Sequence, residues 1–305
     1  MRIQENNTTE TYDCQVRKIL QKIVIKKELN TTAVDWLLTR KLHERAWNIS
    51  DCATNVGFLN DDGKAKIVSA NFCRQRLCHV CAWRRSLKFT TQMKPILRLL
   101  EGEGYEFIFV TLTVKNISKE QLKDTVDDML RAYDRLLKLR GIKRAWLGKV
   151  RGLEVTYNRN TGMFHPHIHV LVAVTPEYFR SDDYVNQEKL SELWKECMRL
   201  DYTPVVDIRK TEKGSGSVVE VLKYTTKSFK DSEAIEGFYN SLRDRRLISF
   251  SGVFAEKRKL MKMTDFDTVL VDDIERSKVN AVYWDIYRFD PSGGVFKFYT
   301  KYKKE

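Results

Sequence analysis

Apolar positions recur at three- and four-residue spacing over the first fifty residues. Val16, Ile19, Leu20 and Ile23, then Val34, Leu37, Leu38, Leu42 and Ala46, predict two helices between about Val16 and Ile49, separated at Asn30-Thr31-Thr32. Residues Trp83 to Leu100 carry a further helical pattern. The middle of the chain changes period. Tyr105 to Thr113 is β-branched and aromatic and predicts a strand. Ser118 to Leu139 then places Leu122, Val126, Met129, Leu130, Tyr133, Leu136 and Leu137 on one helical stripe. Trp146–Tyr157 and His167–Val174 predict two strands paired as a hairpin across Asn158-Arg159-Asn160-Thr161-Gly162. A helix over Gln187–Met198, a short strand at Val205–Arg209 and a helix over Val218–Lys227 follow. Beyond Phe229 the pattern weakens, with strands at Ile248–Phe254 and Val295–Tyr299. This order predicts an α+β fold, a central antiparallel sheet with helices packed on its face or faces.

Chemistry divides the same chain into four expected parts. These are an N-terminal helical segment (1–50), a Cys-rich basic segment (51–104), a core (105–230) and a C-terminal extension (231–305). No run approaches the roughly 18 apolar residues of a membrane helix, and the N-terminus lacks a secretory leader. A soluble cytoplasmic protein without a membrane partner is therefore expected. Lysine and arginine total 54 against 41 acidic residues, a net charge of +13. Such an excess favours a polyanionic partner, because neutralising phosphates releases counterions.

Three of the five histidines fall in His165-Pro166-His167-Ile168-His169. On a strand His167 and His169 share a face, so two imidazoles could converge on a divalent cation. Pro166 fits the first residues of such a strand. Glu154, across the expected hairpin, is the candidate oxygen ligand. In Glu220-x3-Tyr224-x2-Lys227, Glu220 and Tyr224 are helical neighbours, with Lys227 one turn further on. A nearby cation would lower the barrier to attack by the phenol on phosphorus, and the carboxylate could take its proton or activate water.

Cys73-x4-Cys78-x2-Cys81, with Cys52 upstream, offers four thiolates to a structural Zn²⁺ stapling a strand-poor segment, His79 being an alternative fourth ligand. Arg74, Arg76, Arg84, Arg85 and Lys88 flank this cluster as candidate DNA contacts.

Taken in order, Phe109-Val110-Thr111-Leu112-Thr113, the histidine strand and the Glu220/Tyr224/Lys227 set resemble the three motifs of HUH endonucleases. The stretch from Phe72 to Arg85 resembles the Cys-rich signature of the rolling-circle replication initiators of Gram-positive plasmids, with His79 where proline is usual. The resemblance spans roughly residues 40–230. It implies Mg²⁺ or Mn²⁺ on His167 and His169, and attack by Tyr224 on origin DNA to leave a 3′-OH primer. It further implies a hydrolytic termination step by Glu220, and a host helicase as partner. A relaxase or transposase with the same core, and a non-catalytic zinc-containing DNA-binding regulator, are the rival readings. A relaxase usually carries its tyrosine ahead of the histidines; here Tyr224 follows them.

Overall fold

The computed structural model describes residues 11–211, 231–243, 245–261 and 283–303. The chain forms two compact units, Met1–Cys81 with Asp267–Glu305, and Ala82–Phe266.

The larger unit is built on a five-stranded antiparallel sheet ordered β6-β3-β5-β4-β7. Its strands are β3 (Glu106–Thr113), β4 (Gly148–Asn158), β5 (Met163–Val174), β6 (Val206–Lys210) and β7 (Ile248–Gly252). The expected hairpin forms: β4 and β5 pair from Gly148↔Ala173 to Asn158↔Met163. Its turn closes with the Gly162 N–H donating to Asn158 O (2.9 Å). Gly162 has φ +65°, a region that glycine enters without penalty.

The strand alternation sends side chains to two cores. Ile108, Val110 and Leu112 of β3, with Ile168, Val170 and Val172 of β5, join one cluster. Over it lie α5 (Lys119–Leu136), α7 (Gln187–Met198) and α8 (Ser232–Leu242), contributing Leu122, Val126, Met129, Leu190, Trp194 and Phe238. Residues of opposite parity, Phe107, Phe109, Leu171 and Ala173, join Val150 in the second. Phe89, Met93, Ile96 and Leu100 of α4 (His79–Gly102) and Phe254 of α9 (Val253–Leu260) cover that face. The fold is α+β, with helices on both faces of the central sheet. Short α6 (Arg140–Ala145) precedes β4.

In the smaller unit, β1 (Asn55–Asp61), β2 (Lys64–Ala70), β8 (Tyr283–Asp290) and β9 (Val295–Lys303) form an antiparallel sheet ordered β2-β1-β8-β9. Helices α1 (Tyr12–Glu28), α2 (Thr31–Thr39) and α3 (His43–Asp51) precede it.

Several expectations are corrected. The N-terminal pattern makes three helices, because the chain turns at Arg40-Lys41-Leu42, with Lys41 at φ +57°. The segment between Cys52 and Cys73 is a hairpin turning at Asp61-Asp62-Gly63, where a strand-poor staple was expected. The strand expected over Ile248–Phe254 ends at Gly252, and α9 begins at Val253. Pro166 is an interior residue of β5. Its missing N–H is tolerated because pairing with β3 lapses there, between Thr113↔His167 and the isolated bridge Ile117↔Phe164. The helix expected over Val218–Lys227 lies outside the described residues. Among the described residues no helix is long and apolar enough to cross a membrane.

Candidate metal centres

On β5 the residues His165, His167 and His169 share the face of Leu171 and Ala173, which continues the cluster under α4. Antiparallel register sets Glu154 of β4 directly opposite His167 and sets Thr111 of β3 opposite His169. Glu154, His167 and His169 thus offer ligand atoms within 4.8 Å of one another. Glu154 Oε2 lies 3.0 Å from His169 Nε2 and 3.5 Å from His167 Nδ1. The carboxylate is 2% exposed and His169 is 6% exposed. An ionised carboxylate at that depth needs a positive partner, since burying an uncompensated charge costs several kcal/mol. An imidazolium or a divalent cation between the three groups would provide one.

Two neighbours orient the imidazoles. Thr111 Oγ1 is 3.1 Å from His169 Nδ1; with a cation on Nε2, the Nδ1–H would donate to this hydroxyl and fix the ring. His165 Nδ1 is 3.1 Å from His167 Nε2, leaving His167 Nδ1 turned toward Glu154. Burial first, and the adjacent His167 second, push the His165 imidazole below its ordinary pKa, favouring the neutral ring. The ring of Phe109 stacks on His169, with centroids 5.7 Å apart. Phe109 and Thr111 stand in the first motif and His165 in the second, but sequence reasoning gave none of them a role of its own. Two-residue periodicity gave His165 the face of His167, but strand register was needed to bring Thr111 and Phe109 beside His169.

The second centre lies in the smaller unit, where Cys52, Cys73, Cys78 and Cys81 converge with their sulfurs within 4.8 Å of one another. All are free thiols. Sγ–Sγ distances of 3.5 Å (Cys52 to Cys81) and 3.7 Å (Cys73 to Cys81) fit a tetrahedron of about 3.8 Å edge, which Zn–S bonds near 2.3 Å would require. Backbone donors already point at these sulfurs. The Cys73 N–H donates to Cys52 Sγ (3.4 Å), and the N–H of Arg74, at φ +63°, to Cys81 Sγ (3.2 Å). Asn30 Nδ2 donates to Cys78 Sγ (3.5 Å). Hydrogen bonds from Cys52, Cys73 and Cys81 hold Cys78 well below the ordinary thiol pKa despite its burial. Lys27 Nζ caps the carbonyls of Ser50 and Cys52 at 2.8 and 2.9 Å. With Cys52 inside the cluster, four sulfurs complete a coordination shell without His79. That residue is buried, its backbone N–H donates to Asn30 Oδ1 (2.8 Å), and burial lowers its imidazole pKa to about 4.

The flanking cations are distributed by unit. In the smaller one Arg74 is exposed and Arg76 half-buried. In the larger one Arg84, Arg85 and Lys88 are half-buried on α4, with Arg84 and Lys88 four apart on one helical face. Glu220, Tyr224 and Lys227 lie outside the described residues.

A family profile described as "Replication protein" matches residues 64–293. A protein from Streptococcus pneumoniae serotype 2 called "Protein rep" is 34% identical over 232 residues, 72% of each chain. One of the same name from Bacillus amyloliquefaciens is 33% identical over 278 residues, 79% of this chain and 80% of its own. Another from Lentilactobacillus hilgardii is 34% identical over 264 residues, 80% and 84%. No solved structure matches the chain.

Proposed function

We propose, from the premise that the chain belongs to the replication protein family, that it initiates plasmid replication as an origin-specific single-strand DNA nickase and strand transferase. The observation that carries this reading is the meeting of Glu154, His167 and His169 on adjacent strands, at the end of the sheet face that carries Phe109, Leu171 and Ala173. Two imidazoles and a carboxylate suit a divalent cation with positions left for substrate oxygens. Bound there, Mg²⁺ or Mn²⁺ would polarise the scissile phosphate as a Lewis acid.

The chain's own residues do the rest. Thr111 and His165 hold His169 and His167 in the orientation that points one nitrogen of each at Glu154. Tyr224 is the nucleophile. Its phenolic oxygen forms a bond to phosphorus as the bond from phosphorus to the 3′ oxygen breaks. That oxygen takes up a proton and becomes the 3′-OH primer, while the 5′ end stays on the tyrosine. The phosphodiester's energy is conserved in the new link, so rejoining requires no ATP. Lys227 favours the phenolate by its charge. Glu220 accepts the phenolic proton and, at termination, activates the water that hydrolyses the link. Cys52, Cys73, Cys78 and Cys81 would hold a Zn²⁺ that staples the smaller unit. Arg74, Arg76, Arg84, Arg85 and Lys88 contact the origin's phosphates, and a host helicase extends the opened duplex. The work takes place in the cytoplasm, where plasmid DNA and reduced thiols coexist.

The test is to incubate the protein with supercoiled plasmid carrying its cognate origin, in Mn²⁺ or EDTA, beside the Tyr224→Phe variant. Metal-dependent open circles with a protein adduct, both lost in Tyr224→Phe, are expected. Origin binding without nicking in any metal would overturn the enzyme reading in favour of a regulator.

A further inference from the structure

The sheet of the smaller unit has two unlike faces. Toward α1 it presents Phe58, Tyr287 and Asp285. Tyr287 sits edge-on to Phe58, and Tyr12 Oη donates to Asp285 Oδ2 at 3.0 Å. The opposite face carries Trp284, Ile286 and Arg288 of β8, paired with Tyr302, Thr300 and Lys297 of β9. Trp284 and Tyr302 stack with centroids 4.5 Å apart and planes at 28°. The guanidinium of Arg288 lies 3.8 Å over the ring of Tyr299. Tyr299 is the extra residue where the pairing shifts between Ile286 and Tyr287, so a bulge aims it onto this face.

The strand beneath is shaped for these rings. A Cβ on Gly57 would come within 2.9 Å of Trp284 Cδ1 and 2.5 Å of Ser69 Oγ, so only glycine lets the indole lie against β1. Tyr299 and Tyr302 are 56% and 46% exposed, so both rings are open to a ligand. Strands β8 and β9 hold Arg288, Lys297, Lys301 and Lys303 against Asp285 and Asp290.

We propose that this face is a binding surface for single-stranded nucleic acid. Unpaired bases stack on Tyr299 and Tyr302, while Arg288 and Lys297 meet the phosphates. Flat rings on a sheet, interleaved with cations, accept any base because every base has a π-face, and they reject a duplex whose bases are already stacked. Lys297, now paired with Asp290 (2.6 Å), exchanges that exposed partner for a phosphate at little cost. The inference rests on the nicking proposal only for the source of the strand, which opening an origin would supply. It gives the C-terminal strands a role independent of the chemistry at Glu154.

The experiment measures fluorescence anisotropy of a labelled oligothymidylate about 20 nucleotides long, free of origin sequence, with the full chain. The Tyr299→Ala/Tyr302→Ala variant is expected to bind about tenfold more weakly, and Tyr302→Phe to bind as the wild type does. Arg288→Gln should flatten the salt dependence by about 0.7 in the log–log slope. Unchanged affinity in the double variant, or a wild type that binds no oligothymidylate, overturns the proposal. The first of these leaves the face to a protein partner. If the double variant loses its circular-dichroism signal, Tyr299→Ala alone decides, since that exposed ring supports no core. Origin nicking measured on the same proteins separates the two readings. Binding through the tyrosines without nicking upholds this surface and sinks the nickase, whereas nicking with tyrosine-independent binding does the reverse.

Discussion

Glu154 sits 2% exposed between two imidazoles, and replacing its charge separates a structural role from a metal-binding one. In Glu154→Gln the shape is kept and the buried charge removed. Stability without metal should therefore change by no more than about 1 kcal/mol in either direction. Added Mn²⁺ should raise the thermal midpoint of the wild type, because a ligand that binds only the folded state stabilises it, and should leave the variant's midpoint where it was. A shift of equal size in both would place the ion elsewhere. Thr111→Val removes the oxygen beside His169 Nδ1 while keeping the side-chain shape. It should weaken Mn²⁺ binding in calorimetry by about 10- to 100-fold, the usual effect of losing an orienting partner. At this scale the sequence was informative about ligands and poor about their supports. Period-two alternation pairs His167 with His169 from the residues alone, and the hairpin turn brings Glu154 opposite them. Thr111 is 58 residues from His169 in the chain, and only the β3–β5 register makes them neighbours.

Among the elements, α8 shows how closely the helical layer fits the five-stranded sheet. A Cβ on Gly237 would come within 2.5 Å of Phe164 Cζ on β5 and 3.3 Å of Leu122 on α5. Gly237→Ala should therefore destabilise by about 1–3 kcal/mol despite alanine's better helix propensity, read from denaturant midpoints. A neutral or stabilising result would mean that α8 can back away from the sheet. Just after the same helix, Arg245 Nε donates to Asp127 Oδ1 of α5 at 3.1 Å, and this guanidinium holds the Asp127 carboxyl below its usual range. A carboxyl with a depressed folded-state pKa stabilises above its unfolded value and loses that contribution as pH falls through the folded value. Comparing wild type with Arg245→Ala, the stability difference should be roughly 1 kcal/mol or less, constant from pH 8 to about 5, and fade below about pH 4. A difference that grew on acidification would assign the effect to another group. Long periodic elements such as α5 and the β4–β5 hairpin were legible from spacing. Strands β1, β2 and β8 were not, because their turn and aromatic residues carry no clean two-residue alternation, and the β9 bulge breaks it further.

For the whole molecule, two compact units divide the chemistry, the smaller carrying the four-cysteine cluster and the larger the Glu-His-His group. The smaller unit joins residues before Cys81 to residues after Asp267. No local sequence signal announces that the C-terminal strands complete an N-terminal sheet, because pairing β1 with β8 requires contacts more than 200 residues apart. Metal analysis of the purified protein should find about one zinc per chain, falling near zero in Cys78→Ser, with the Mn²⁺-dependent midpoint shift of the other centre preserved. Loss of both responses together would argue that the two centres are not separate.

Under the nicking proposal, Tyr224 becomes covalently joined to DNA. The most direct test is mass spectrometry of the trapped adduct after nuclease and trypsin digestion. The predicted result is a peptide from Tyr224 to Lys227 carrying a 5′-nucleotide on the tyrosine, formed only with Mg²⁺ or Mn²⁺. An adduct on any other residue, or efficient nicking that leaves every peptide unmodified, would contradict it.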